Sequence, residues 1–324
     1  MVAAGAVVLA AAAAWLLLGT LSAVRASDPF HPAIDRAAAL ALADSMRAAE
    51  ARGTSSACHT RILVSPDTSG RAPVIVLLHG FTNCPKQFDG LARAFARRGW
   101  SVVVPLLPRH GMADRMTTEL ARLNGEELVT AGEEAVDIAH GLGRPVVVVG
   151  LSSSAVLAGW LAEHREDVDG AVLIAPALGP HGMPGPVARR MTGALLTLPN
   201  FYVWWDSKLQ ADLPGPQQCY PRFASHAIAQ VYRLGMAVMA DAIRAKPKAK
   251  RIVLVTTETD EAVNNDLALE LARRWRARGA DVTTYQFPAA LGVRHDMIDP
   301  EQPYARTDIS YPVIEKMVAT AATP

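Results

Sequence analysis

Cysteine is scarce in this chain: Cys58, Cys84 and Cys219 are the only three in 324 residues. Neither they nor the nine histidines cluster at metal-ligand spacing, so the sequence gives no basis for a zinc or other metal site. An excess of charge is missing too. Lys and Arg number 32 against 31 Asp and Glu, a net charge of +1, which leaves no electrostatic case for nucleic acid. Neither a Gly-x-Gly-x-x-Gly nor a Walker A sequence occurs, so nothing points to a bound dinucleotide or a cradled phosphate. There is no internal repeat, and no low-complexity tract beyond the N-terminal stretch. What is plentiful is apolar side chain: 50% of residues are hydrophobic, enough for one large α/β domain or two small ones.

Residues 2–24 carry no charge and are dominated by Ala, Val and Leu, which marks residues 1–26 as a targeting segment. Val24-Arg25-Ala26 ahead of Ser27 suits a signal peptidase, and the apolar run is also long enough for an uncleaved membrane anchor. The usual basic n-region is absent, so charge bias says little about orientation. The expectation is export to a periplasmic or extracellular location, or tethering to a membrane through residues 2–24. An exported protein can keep a disulfide. Cys58–Cys84, which flank the first strands, is the expected pair, with Cys219 left over; three unpaired thiols is the alternative.

Beyond this segment, residues 27–59 form an N-terminal extension with a helical pattern at Ile34, Ala38, Leu40, Leu42 and Met46. Residues 61–65 read as an edge strand and residues 73–78 as a fully apolar strand ending in His79-Gly80-Phe81. A helix over residues 86–98, a strand over 100–105 and a helix over 126–142 follow. Further strands are expected at residues 145–149, 170–175, 251–256 and 281–287, with helices at 267–278 and 312–319. Such alternation predicts a mostly parallel sheet covered on both faces. Residues 176–222 break it with Pro, Gly and aromatics, including Trp204 and Trp205, and read as a cap inserted over the carboxyl ends of the strands.

The organising stretch is Val146-Val147-Val148-Val149-Gly150-Leu151-Ser152-Ser153-Ser154. Four valines have no period of two or 3.6, so both faces of this strand are apolar and it sits inside the sheet. The run stops at Gly150 and a helical pattern begins at Ala155. A strand turning directly into a helix with a serine at the corner is a nucleophile elbow, although Ser154 stands where Gly-x-Ser-x-Gly would have its last glycine.

With His79-Gly80-Phe81 after the first long strand and Leu107-Pro108-Arg109-His110-Gly111 after the next, residues 60–320 resemble an α/β-hydrolase. The likeness is greatest to small carboxylesterases and monoacylglycerol-lipase-like serine hydrolases. The resemblance implies a triad in the order Ser, acid, His. It implies Ser152 as nucleophile, Asp260 in Thr257-Glu258-Thr259-Asp260 as acid, and His295 in Val293-Arg294-His295-Asp296 as base. Main-chain N–H groups of Phe81 and Ser153 would form the oxyanion hole. Serine needs a base to take its proton as it attacks, imidazole titrates where it can do so, and a carboxylate fixes the ring's tautomer.

Alternatives stay open residue by residue. Ser153 or Ser154 replaces Ser152 if the strand end is misplaced by one. Glu258 and Asp266 compete with Asp260, and His79, His110, His181 and His226 with His295; His79 and His110 are better suited to holding turns. Asp296 reads as a surface residue or a local hydrogen-bond partner. Trp204 and Trp205 are packing residues or pocket walls. The expected activity is hydrolysis of short- to medium-chain carboxylic esters with no metal and no organic cofactor. The same triad on an amide or thioester, acyl transfer, or a catalytically silent binding module are the rivals. Oligomeric state is not legible.

Overall fold

A computed structural model describes residues 22–25, 30–50 and 52–323. The expected signal or anchor segment, residues 1–26, lies outside them except for residues 22–25. Among the described residues no helix is long and apolar enough to cross a membrane.

Valine, isoleucine and leucine build the sheet. Strands β1 (Arg61–Leu63), β2 (Val74–Leu78), β3 (Ser101–Val104), β4 (Val146–Leu151) and β5 (Gly170–Ile174) lie in its first part. Across the insertion the sheet resumes with β8 (Arg251–Thr257) and β9 (Asp281–Phe287), after a separate pair, β6 (Tyr202–Trp204) and β7 (Arg222–Ala224). All residues of β2, β3, β4 and β5 are buried, the signature of parallel strands covered on both faces. The seven strands run in the order β1-β3-β2-β4-β5-β8-β9, and only the edge strand β1 is antiparallel. From the β2–β4 pair the chain builds outward in both directions. That pair is therefore the topological switch point, and open α/β sheets bind ligands outside the carboxyl ends of the strands there.

The helices are α1 (Arg36–Ala48), α2 (Asp89–Arg97), α3 (Gly125–Leu142), α4 (Ser153–His164), α5 (Gly185–Thr197), α6 (Ser225–Arg244), α7 (Asn265–Ala277) and α8 (Thr307–Ala322). Several differ from the sequence reading. The helix expected from residue 86 begins as a 3-10 turn, Pro85–Phe88, before α2. Helix α6 was not read at all, because its alternation of Ala with Val, Leu and Met falls between the insertion and β8. Helix α8 starts five residues before Pro312, so the proline lies inside it and leaves the Asp308 carbonyl without that intrahelical donor.

The stretch between β5 and α6 holds α5 and the β6–β7 hairpin, outside the main sheet. It is bonded to the loop after β2: Trp205 Nε1 donates to Thr82 Oγ1 at 3.0 Å, and Tyr220 N–H to the Thr82 carbonyl at 2.9 Å. Two residues on, Cys84 is disulfide-bonded to Cys58, while Cys219 is free and burial holds its thiol protonated. The loop following β2 is thus held from both sides.

Candidate active site

Strand β4 runs one residue past Gly150 and hands over to α4 at Ser152, whose φ of 59° and ψ of −113° are rare for a non-glycine residue. Neighbouring strands over-determine this conformation. Ser152 N–H donates to the Ile174 carbonyl at 2.8 Å, and the Ser152 carbonyl accepts from Ala155 at 3.1 Å and Ala177 at 3.0 Å. At Gly150 a Cβ would stand 2.0 Å from the Ser154 carbonyl, so the turn closes only with glycine there.

Two further loops reach this corner. After β9, His295 places Nε2 3.0 Å from Ser152 Oγ and Nδ1 2.8 Å from Asp260 Oδ2. An ionised carboxylate only accepts, so Nδ1 carries the proton and Nε2 presents its lone pair to the serine hydroxyl. Asp260 follows β8 and is 2% exposed. Its Oδ1 accepts from the N–H groups of Ala262 at 2.9 Å and Val263 at 3.1 Å. Burial works against its charge, but the bond to His295 and these two donors win, and its pKa is held below the usual value. For His295, burial disfavours the cation; Asp260 and then Asp296 outweigh it and raise the pKa. The two loops are also joined directly, since the Val293 carbonyl accepts from Thr257 Oγ1 at 2.5 Å and Thr259 Oγ1 at 2.7 Å.

Among the described residues, the N–H groups of Phe81 and Ser153 have no acceptor. Ser153 opens α4, where N–H groups are unsatisfied by geometry and the helix dipole is positive. Beside them lies a cavity of about 560 Å³ that includes Ser152 and His295. Phe81, Trp205, Phe223, Ile228 and Val263 give it an apolar wall; Thr259, Glu261 and Arg294 give it a polar edge. Another cavity, of about 610 Å³, lies between α1, the loop after β3 and α3 and touches none of Ser152, Asp260 or His295.

The competing residues are elsewhere. Glu258 is exposed and its Oε2 accepts from Ala289 N–H at 2.8 Å, and Asp266 is exposed in the first turn of α7. His79 is fully buried, donates from Nδ1 to the Gly80 carbonyl at 3.1 Å and accepts at Nε2 from Leu107 N–H at 3.1 Å. Burial pushes its pKa well down, and that of His110 to about 4. His181 is exposed ahead of α5, and His226 bonds the Leu198 carbonyl at 2.8 Å. Trp204 does not line the cavity; the Arg222 guanidinium lies 5.6 Å from its ring. Phe223, Ile228 and Tyr232, which do line it, come from β7 and α6 and were missed with that helix.

Residues 75–307 match the model of the alpha/beta hydrolase family. The chain belongs to that family. Among curated proteins it is similar to a thermostable monoacylglycerol lipase of Bacillus sp. (strain H-257), 30% identical over 163 residues, 49% of this chain and 60% of the lipase. The hydrolase-family chain thus spans about three fifths of that relative's length. Solved structures share its fold. One of two metagenome-derived lipolytic enzymes superimposes with a TM-score of 0.62 at 17% identity, covering 82% of this chain and 99% of that one. A soluble variant of monoglyceride lipase from Saccharomyces cerevisiae, in complex with a substrate analogue, gives 0.62 at 14% identity, covering 82% and 91%. The monoacylglycerol lipase of Paleococcus ferrophilus gives 0.58 at 17%, covering 81% and 98%.

Proposed function

We propose that this protein is a serine esterase in which Ser152 is the nucleophile, His295 the general base and Asp260 the orienting acid. The observation that carries the reading is a single imidazole 3.0 Å from a hydroxyl on a strained strand-to-helix turn and 2.8 Å from a buried carboxylate. In the first step Ser152 Oγ bonds to the acyl carbon and its proton passes to His295 Nε2. The carbonyl oxygen becomes an oxyanion facing the unpaired N–H groups of Phe81 and Ser153, a term on the order of 3 kcal/mol per donor in such sites. His295 then gives its proton to the departing alkoxide, and an acyl-enzyme remains. Water repeats the sequence with the same base, releasing the carboxylic acid.

The apolar wall suits an acyl chain of short to medium length, and the polar edge a small alcohol portion. The 30%-identical relative, a monoacylglycerol lipase by name, supports an ester that joins an acyl chain to a small alcohol. The disulfide supports residence in an oxidising compartment, as export or a tether through residues 2–24 would give. A fluorophosphonate probe tests the chemistry: one equivalent should add to the protein and map to Ser152, and Ser152→Ala should take none. Labelling elsewhere, or none in the parent, would overturn the assignment.

A further inference from the structure

The loop after β2 and the loop after β9 meet along a seam of amide and carboxylate side chains. Gly80 N–H donates to Gln87 Oε1 at 2.7 Å. Gln87 Nε2 donates to Asp296 Oδ2 at 3.0 Å, which also accepts from Gln302 Nε2 at 2.8 Å. Beside this chain, Asn83 Nδ2 donates to Asp299 Oδ2 at 3.2 Å, and Lys86 pairs with Glu301 at 2.5 Å. Gln87 is 2% exposed, on the 3-10 turn ahead of α2. Its orientation follows from its neighbours: the end facing an N–H must be the oxygen, so the end facing the carboxylate is the NH2.

The seam's position gives it meaning. Gly80 directly precedes Phe81, whose N–H is one of the two proposed oxyanion donors, and Asp296 directly follows His295. One glutamine side chain therefore spans the two loops whose separation the reaction depends on. An oxyanion donor works over a range of only a few tenths of an ångström, and a misplacement of about 1 Å costs about 100-fold in rate. We infer that Gln87 is a positioning residue that sets the oxyanion donors against the catalytic histidine, with Asp296 as its anchor on the histidine side. The inference rests on the serine-esterase reading above.

The test compares Gln87→Met, Asp296→Ala, their double variant and Asp296→Asn with the parent. Each is assayed for p-nitrophenyl butyrate turnover on the alkaline plateau, thermal midpoint and hydrogen exchange. Met keeps the length of Gln87 without its bonds, and Asn at 296 keeps an acceptor. Gln87→Met and Asp296→Ala should each lower kcat about 10- to 100-fold with KM within about threefold, and the double variant should be no worse than either single. Asp296→Asn should restore most of the rate. Exchange should quicken in both loops, residues 79–84 and 293–299, from either single change. A lowered thermal midpoint with unchanged kcat, losses that multiply in the double variant, or quickened exchange in one loop alone would overturn the inference. A parent that neither turns over ester nor takes the fluorophosphonate probe sinks the esterase reading instead. Exchange in the two loops then still decides whether Gln87 couples them.

Discussion

The hydroxyl of Ser154 donates to the main-chain carbonyl of His79. The serine that departs from the usual elbow glycine is thus a bond between the start of α4 and the end of β2. It is 2% exposed, so without it the His79 carbonyl is left buried and short of that donor. Ser154→Gly should retain the turn yet lose roughly 1–3 kcal/mol of stability, measured by urea unfolding. Gly150→Ala, whose added carbon would meet a carbonyl that cannot retreat, should fail to give a folded protein. A Ser154→Gly variant as stable as the parent would deny the bond its role.

The pH dependence follows from His295. Asp260 and Asp296 raise its pKa against burial, so the neutral base is recovered only above the ordinary imidazole range. The acidic limb of kcat/KM should therefore lie above about pH 6.5. Asp260→Asn removes the partner that fixes the tautomer; kcat should fall on the order of 10⁴-fold and any residual limb should move down. A parent limb well below that pH would show that the carboxylates do not outweigh burial.

Glu163, on the last turn of α4, bears on stability rather than catalysis. Its Oε1 accepts from Trp275 Nε1 at 2.8 Å and its Oε2 is enclosed without a partner. Burial pushes the carboxyl up to about 9, helped by Asp241. The folded state holds this proton more tightly than the unfolded chain, so stability drains away as pH rises from about 4.5 towards 9. Glu163→Gln keeps the Trp275 bond and has no charge to lose. It should raise stability by on the order of 2–3 kcal/mol near pH 8 and leave it unchanged near pH 4, as read from denaturant midpoints. Equal gains at both pH values would contradict the account.

The Cys58–Cys84 bond closes a loop with a sequence separation of 26, and chain entropy puts its contribution at about 3.5 kcal/mol. Because Cys84 lies two residues from Thr82, which receives Trp205 and Tyr220 from the insertion, reduction should lower activity as well as the thermal midpoint. Loss of stability with unchanged turnover would separate the disulfide from the loop it appears beside in sequence.

The apolar runs make the sheet legible in the sequence: Val146–Leu151 and its parallel neighbours have no polar face, and only a doubly covered sheet accepts such strands. Ser152, Asp260 and His295 were legible because each follows a strand end, where a motif has a short reach. Phe223, Ile228 and Tyr232 were not, because helix α6 supplies the cavity wall from a region with no catalytic motif. Asp296, read as a surface residue or a local hydrogen-bond partner, does accept locally from Gln302, six positions on, but its carboxylate is buried and also accepts from Gln87 across 209 positions of sequence, a pairing only the fold brings about. Adjacent Trp204 and Trp205 could not be told apart until the β6–β7 hairpin set which of them faces the cavity.

The most direct test of the central claim is turnover of p-nitrophenyl esters from acetate to palmitate by the parent, Ser152→Ala and His295→Ala. The account predicts turnover in the parent, best at a short to medium chain, and a loss of about 10⁴-fold or more in both variants. Undiminished turnover in Ser152→Ala, or none by the parent on any ester of the series, would contradict it.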